Sequence, residues 1–324
     1  LERAADRDER AFLMAHDTDP FNKWEAGRAL ARESLIGTVR TGAPPDAAWL
    51  EGVAAILRDE SFEPAFRAQM LALPTQSELA QALADRGETP DPDAIWGAVE
   101  GLKEALALHL ADLAPALYDA MRVTGPYIPD AEQSGKRALA NAMLGLITRR
   151  DGGELAARQY AEADNMTLTL AALACLLRAG KGGPELAAFH ERWQDDRLVM
   201  DKWFGLQIME ATPEAAVETA RRLTGHPAFD MKNPNRFRAV LGALAGHHAG
   251  FHRADGAGYA LLADWLIRLD PVNPQTAARM MTAFQTWRRY DAGRQAHARA
   301  ALERIAATPG LSRDGAEMVG RMLA

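Results

Sequence analysis

Cysteine occurs once in the 324 residues, as Cys175, so no disulfide can close within the chain. Its setting in the run Leu173-Ala174-Cys175-Leu176-Leu177 predicts a buried thiol that packs as a small hydrophobe. That usage suits a reducing compartment, and a cytoplasmic location is the expectation. Long hydrophobic runs are equally scarce. The longest, Leu168 to Leu177, is about half of the roughly 20 residues a membrane-spanning helix takes. An excess of basic charge is missing too. With a net charge of −7 and Lys and Arg interleaved with acids, the chain does not present the clustered cations that a phosphate backbone requires. Nucleic acid and membrane are therefore both excluded as expected partners. Finally, the start Leu1-Glu2-Arg3 has neither an initiator Met nor a charged-then-apolar signal pattern, and the expectation is a piece of something larger.

What the chain has is apolar content, 48% of its residues, enough for a large core. The apolar positions recur with a helical period. Leu139, Met143, Leu146 and Ile147 share one face, with Lys136, Arg137, Asn141 and Arg150 elsewhere on the wheel. The same spacing recurs at Tyr259, Leu262, Leu266 and Leu269, and at Ala298, Ala301, Leu302 and Ile305. The alternating runs and tight-turn dipeptides that mark strands are absent. Helix starts are signalled at Asp19-Pro20, Asp91-Pro92, Pro129-Asp130, Pro184-Glu185 and Thr212-Pro213-Glu214, with Gly-containing stops between them. Helices of about 10 to 20 residues on short turns must bury their apolar stripes against neighbours, which predicts stacked antiparallel pairs. The expected fold is all-α, an irregular α-solenoid or superhelix of the HEAT or armadillo-like kind, because no crisp repeat consensus appears. Residues 1–324 are expected to form one domain, with a minor break near 83–93, where Gly87, Pro90 and Pro92 cluster.

Catalytic chemistry finds little to stand on. His190-Glu191 begins a zinc-hydrolase helix motif, but Gln194 occupies the position of the second histidine. His247, His248, His252 and Asp255 offer enough donors for a three-ligand zinc site. Gly246, Gly250, Gly256 and Gly258 around them predict a loop instead, its histidines polar turn residues and Asp255 capping the helix at Tyr259. Cys175 is expected to be buried, and no Ser stands in a strand-to-helix elbow. The pairs Asp195-Asp196 and Glu60/Glu63 flank helix ends, where carboxylates favour the helix dipole or face water. In the run Leu198-Val199-Met200-Asp201-Lys202-Trp203-Phe204, the residues Met200, Trp203 and Phe204 share a buried face, while Asp201 and Lys202 need partners or water. Asn233-Pro234-Asn235-Arg236 and Asn273-Pro274-Gln275 each set a capping Asn before a helix-opening Pro. Arg236, Arg238 and Arg279 then fall within two turns of a helix start. Cations are unfavourable there, which hints at a use beyond local stability, although pairing with a surface carboxylate explains each one singly.

Six strings together resemble the C-terminal region of the bacterial aminopeptidase N family, in that family's order and over nearly the whole chain. They are DPFNKWEAGRAL (Asp19 to Leu30), EADNMTLTLAAL (Glu162 to Leu173), LVMDKWFGLQ (Leu198 to Gln207), NPNRFR (Asn233 to Arg238), DGAGYALLADWLIRLDPVNPQTAARM (Asp255 to Met280) and RRYDAGRQAHARAALE (Arg288 to Glu303). The resemblance implies a parent enzyme that is a gluzincin metallopeptidase removing N-terminal residues from peptides. In that family zinc is held by an HExxH helix and a distant glutamate, and a GAMEN-type loop recognises the free amine. All of these lie in a catalytic domain absent from this chain. The chain itself is then a non-catalytic superhelical domain that packs over the catalytic domain of the same parent, encloses the active site and admits peptide substrates. Arg236 and Arg279 fall where family members direct arginines into the substrate channel, a role suited to a guanidinium's paired hydrogen bonds to a carboxylate. The alternatives are a free-standing helical-repeat scaffold that binds a protein partner on its concave face, and a small metal hydrolase built on the histidine cluster.

Overall fold

The computed structural model describes residues 6–324, so the reading of Leu1-Glu2-Arg3 lies outside the described residues. Every regular element among them is a helix, as the 3.6-residue period and the missing strand signals predict. The α-helices run α1 (Arg7–His16), α2 (Pro20–Thr41), α3 (Ala47–Arg58), α4 (Pro64–Gln69), α5 (Gln76–Ala84), α6 (Pro92–His109), α7 (Leu113–Ala120), α8 (Ala131–Asp151), α9 (Glu154–Glu162) and α10 (Met166–Arg178). They continue with α11 (Gly183–Trp193), α12 (Arg197–Met209), α13 (Pro213–Thr224), α14 (Pro234–Phe237), α15 (Ala243–Gly246), α16 (His248–Phe251), α17 (Ala257–Leu269), α18 (Pro274–Met281), α19 (Ala292–Ala306) and α20 (Arg313–Leu323). A π turn, Arg238–Gly242, joins α14 to α15 without a break.

The described residues gather into two compact units, 6–79 with Ala94–Glu185, and Ala80–Asp93 with Leu186–Ala324. In the first unit α1 and α2 form a hairpin on which α3 packs, and α8 is flanked by α4, α7, α9 and α10. The hairpin is pinned by Lys23, a buried lysine whose ammonium donates to the carbonyls of Met14 (3.2 Å) and Ala15 (2.7 Å). These are orphan acceptors at the α1 C-terminus, where a cation also meets the dipole favourably. Leu139, Met143 and Leu146 line the core side of α8. Arg137, assigned by pattern to the outer face, is buried as well. It lies 4.6 Å from the Tyr127 ring centroid and donates to Gln133 Oε1 (3.0 Å) and the Ile128 carbonyl (3.3 Å). Gly135 permits the close approach of α4, since a Cβ there would sit 3.0 Å from the Ala65 nitrogen.

In the second unit α12 packs on α13, α17 on α18 and α19, and α20 on α18 and α19. The stripes Tyr259, Leu262, Leu266, Leu269 and Ala298, Ala301, Leu302, Ile305 are all buried. Asp270, at the end of α17, accepts from the Ser312 amide (2.7 Å) and hydroxyl (2.6 Å), and so ties the entry of α20 to that helix. The loose stretch expected near 83–93 belongs to this unit. Arg294, itself buried, reaches Asp93 at 2.6 Å and Asp291 at 2.7 Å, with Asp91 at 3.7 Å, and its Nε donates to the His252 carbonyl at 2.6 Å.

Candidate functional site

The two Asn-Pro starts fold as their sequence predicts. Asn233 Oδ1 accepts from the Asn235 amide at 3.0 Å, and Asn273 Oδ1 from the Thr276 amide at 3.0 Å, with Pro234 and Pro274 opening their helices. The arginines that follow meet different fates. Arg236 is 5% exposed. Its Nε donates to Asp201 Oδ1 at 2.5 Å, Nη1 donates to the Ala228 carbonyl, and Nη2 to the Arg197 carbonyl at 3.2 Å. The guanidinium also lies 4.6 Å from the Phe204 ring centroid, a cation–π arrangement strengthened by burial. The acid interrupting the apolar α12 and the arginine near the start of α14 thus neutralise each other. Met200, Trp203 and Phe204 are buried around them, and Lys202 remains exposed to water. Three of its five N–H donors are thus engaged, and within this chain Arg236 packs α12 against α14.

Arg279 is exposed on α18, and its guanidinium makes no ion pair or hydrogen bond with the described residues. Because α18 ends at Met281, Arg279 occupies its last turn, not its start. The dipole there favours a cation, which corrects the expectation of local strain. Short helices make position relative to one end a poor guide to the other.

The histidine segment differs from the polar loop read in the sequence. His247, His248 and His252 are all buried, with His248 opening α16. His247 Nδ1 accepts from the Gly250 amide at 3.0 Å and its Nε2 meets the Ala211 carbonyl at 2.9 Å. His252 Nδ1 lies 2.7 Å from the Tyr259 hydroxyl, and His248 Nε2 lies 3.0 Å from that of Tyr290. Arg289 donates to the same Tyr290 oxygen through Nε (3.1 Å) and Nη2 (2.9 Å). Two accepted bonds fill the hydroxyl's lone pairs, so its one proton points to His248. The neutral imidazole then carries its own proton on Nδ1, a buried atom with no acceptor. Burial, helped by the nearby charge of Arg289, pushes His248 down to about 3, and burial and His248 hold His252 well below the usual histidine range. Tyr259 and Tyr290 are raised, chiefly by burial.

The glycines around these rings mark close packing. A Cβ on Gly258 would overlap the Phe251 carbonyl, and one on Gly250 would lie 2.7 Å from the Ala216 methyl. Asp255 turns away from the histidines. It pairs with Arg253 at 2.5 Å and accepts from the Ala257 amide at 3.0 Å. The donor set therefore does not fit a zinc ion, since four of the six imidazole nitrogens are committed to a hydroxyl, an amide or a carbonyl. Among the described residues no group of three His, Cys, Asp or Glu side chains is arranged to hold a metal. His190 stacks in an aromatic nest with Trp203 and His226, at centroid distances of 4.9 and 5.3 Å, while Gln194 is exposed. Cys175 is buried in α10 as its setting predicts. No described helix is long and apolar enough to cross a membrane.

These features define a helical-repeat domain whose polar interior groups serve packing, with Arg279 exposed on α18. The chain belongs to the family described as a domain of unknown function (DUF3458_C) with ARM repeats, whose model matches residues 7–324. It is 39% identical over 325 residues to aminopeptidase N of Caulobacter vibrioides, and 36% identical over 326 residues to aminopeptidase N of Escherichia coli. Each alignment takes in 97% of this chain but 37% of the relative. The fold is shared with a crystal structure of Legionella pneumophila aminopeptidase A in complex with aspartic acid. The TM-score is 0.88 and the identity 27%, over 99% of this chain and 39% of that one. The chain thus corresponds to the C-terminal part of aminopeptidase relatives, without the portion that holds their catalytic domain.

Proposed function

We propose that the chain, as one C-terminal domain, encloses the active site of a cytoplasmic zinc aminopeptidase and lines the path by which peptides reach it. The zinc and the bond chemistry belong to the catalytic portion of the same parent, which this chain lacks. The domain acts by steric gating and by charge. Arg279 carries the reading: it is a solvent-exposed guanidinium without a partner of its own, on a chain that aligns nearly end to end with the C-terminal part of aminopeptidases. A peptide's terminal carboxylate offers it two parallel acceptors, which the fixed guanidinium fork matches. Arg236 contributes to that path as a positioning residue, holding α12 and α14 through Asp201.

In the longer protein, Arg279→Ala should raise KM for peptides of four or more residues and leave small aminoacyl amides unaffected, because only the former reach the channel wall. An effect on KM rather than kcat is expected for a contact equally strong in ground and transition states. Equal loss for both substrates would refute the channel role. The 324-residue chain alone should release nothing from aminoacyl reporters, with or without added zinc, and hydrolysis by the pure chain would overturn the division of labour.

A further inference from the structure

Tyr118 on α7 carries a hydroxyl that folding puts inside and only half satisfies. The residue is 7% exposed, and its O–H donates to Gln159 Oε1 at 2.9 Å. Gln159, on α9 and buried as well, is fixed by donating its amide to Asn141 Oδ1 and to the Leu168 carbonyl, both at 3.0 Å. That orientation makes Oε1 the acceptor and the phenol the donor. The two lone pairs of the Tyr118 oxygen are therefore left without a donor among the described residues, where a buried polar atom ordinarily finds one. Burial raises the hydroxyl above the usual tyrosine range, and Asp119 and Arg158 both stand close enough to act on it.

Tyr118 lines a cleft of about 270 Å³ whose walls come from α7, α8 and α9. Most of the charges around it are already paired. Asp151 spends one oxygen on the Gly153 amide at 2.7 Å and the other on the Leu155 amide at 2.9 Å, capping α9. Arg122 and Glu162 pair with each other at 3.1 Å. Asp119 and Arg158 remain: both line the cleft and are exposed, and neither side chain has a hydrogen bond or ion pair among the described residues. Ile147 and Leu155 supply an apolar stretch of wall. One free anion, one free cation, a buried acceptor and an apolar wall thus meet in a space just below the roughly 300–1,000 Å³ of sites for drug-sized ligands.

We infer that this cleft binds a small zwitterion, an α-amino acid with an uncharged side chain. Its ammonium faces Asp119 and the Tyr118 oxygen, its carboxylate takes the Arg158 fork, and its side chain lies against Ile147 and Leu155. A simple anion or cation would leave one of the two free charges unmet. The site lies wholly within the first unit, and the inference does not depend on the aminopeptidase reading.

Isothermal titration of the 324-residue chain with L-leucine tests it, and circular dichroism checks the fold of each variant. Saturable binding with a Kd of about 1 mM or below is expected. Isopentylamine lacks the carboxylate and isocaproate lacks the ammonium, so each should bind about tenfold or more weakly, through loss of one charge-assisted contact. Asp119→Asn and Arg158→Gln change exposed side chains that the fold does not use, and each should weaken L-leucine by a similar factor. Tyr118→Phe should weaken it by a smaller one, because the hydrogen bond it removes is single. L-leucyl-L-leucine, a longer zwitterion, should bind about tenfold more weakly than L-leucine, because the cleft is small. No saturation at about tenfold the expected Kd, equal binding of either singly charged analogue, or unchanged affinity in both Asp119→Asn and Arg158→Gln would overturn the proposal. Equal or tighter binding of the dipeptide would overturn it too, by making peptide termini the ligand.

Discussion

Acidification should unfold the second unit through two histidines. His248 and His252 are buried and neutral, their rings 4.9 Å apart, each already facing a tyrosine hydroxyl. In the unfolded chain both bind a proton near the ordinary histidine pKa of about 6.5. In the folded chain they do so only far lower, about 3 for His248. The unfolded state therefore holds more protons below about pH 6.5, and stability falls as pH falls, levelling off only below the folded values. At about 1.4 kcal/mol per pKa unit, pH 5 lies about 1.5 units below the unfolded value, and His248 withdraws about 2 kcal/mol there. His252 adds to the loss in the same direction, against the roughly 5–15 kcal/mol by which domains are stable. Urea unfolding between pH 7.5 and 5 measures the loss. The single variant His248→Gln should show a pH dependence smaller by about 2 kcal/mol, and the double variant His248→Gln/His252→Gln one smaller still, so the single serves if the double does not fold. NMR gives the direct reading: neither ring should titrate above pH 5. A midpoint near 6.5 for both rings, or variants with the wild-type pH dependence, would refute the reasoning.

Other perturbations have equally definite outcomes. Asp201→Ala leaves the buried Arg236 without its counter-charge and should cost about 3–5 kcal/mol, whereas Asp201→Leu combined with Arg236→Met should recover most of that loss; chemical denaturation of the three proteins decides it. Gly258→Ala drives a methyl into the Phe251 carbonyl and should destabilise by about 1–3 kcal/mol or more, seen as a lowered Tm, while Gly97→Ala, with open space around it on α6, should be neutral or stabilising. For Arg279→Ala the expected rise in KM for longer peptides is about tenfold or more, the equivalent of a charge-assisted hydrogen bond of about 1.5–3 kcal/mol, with the melting temperature little changed because the exposed side chain makes no hydrogen bond or ion pair with the described residues.

Much of the architecture is written in local pattern. Periodic apolar stripes, Asn-Pro starts and glycine stops each act within a few residues, so the helices of Tyr259 to Leu269 and Ala298 to Ile305, and the caps Asn233 and Asn273, follow from the chain itself. So does the burial of Cys175 among leucines, and the six family strings gave away the parentage. What local pattern does not carry is pairing between residues far apart. Asp201 and Arg236 each look out of place until folding brings them together across 35 positions. His248 finds Tyr290 across 42. A histidine amid glycines reads as a turn because glycine's backbone freedom is the commoner reason for its presence, whereas here Gly250 and Gly258 make room for neighbouring chain. Periodicity and turn signals alone determined that this protein is helical and built of stacked helices. Only the tertiary structure decided which of its polar groups are spent inside, because burial and long-range hydrogen bonding are properties of the packed whole. By that criterion Arg236 is held inside the packed helices and Arg279 stays exposed to water.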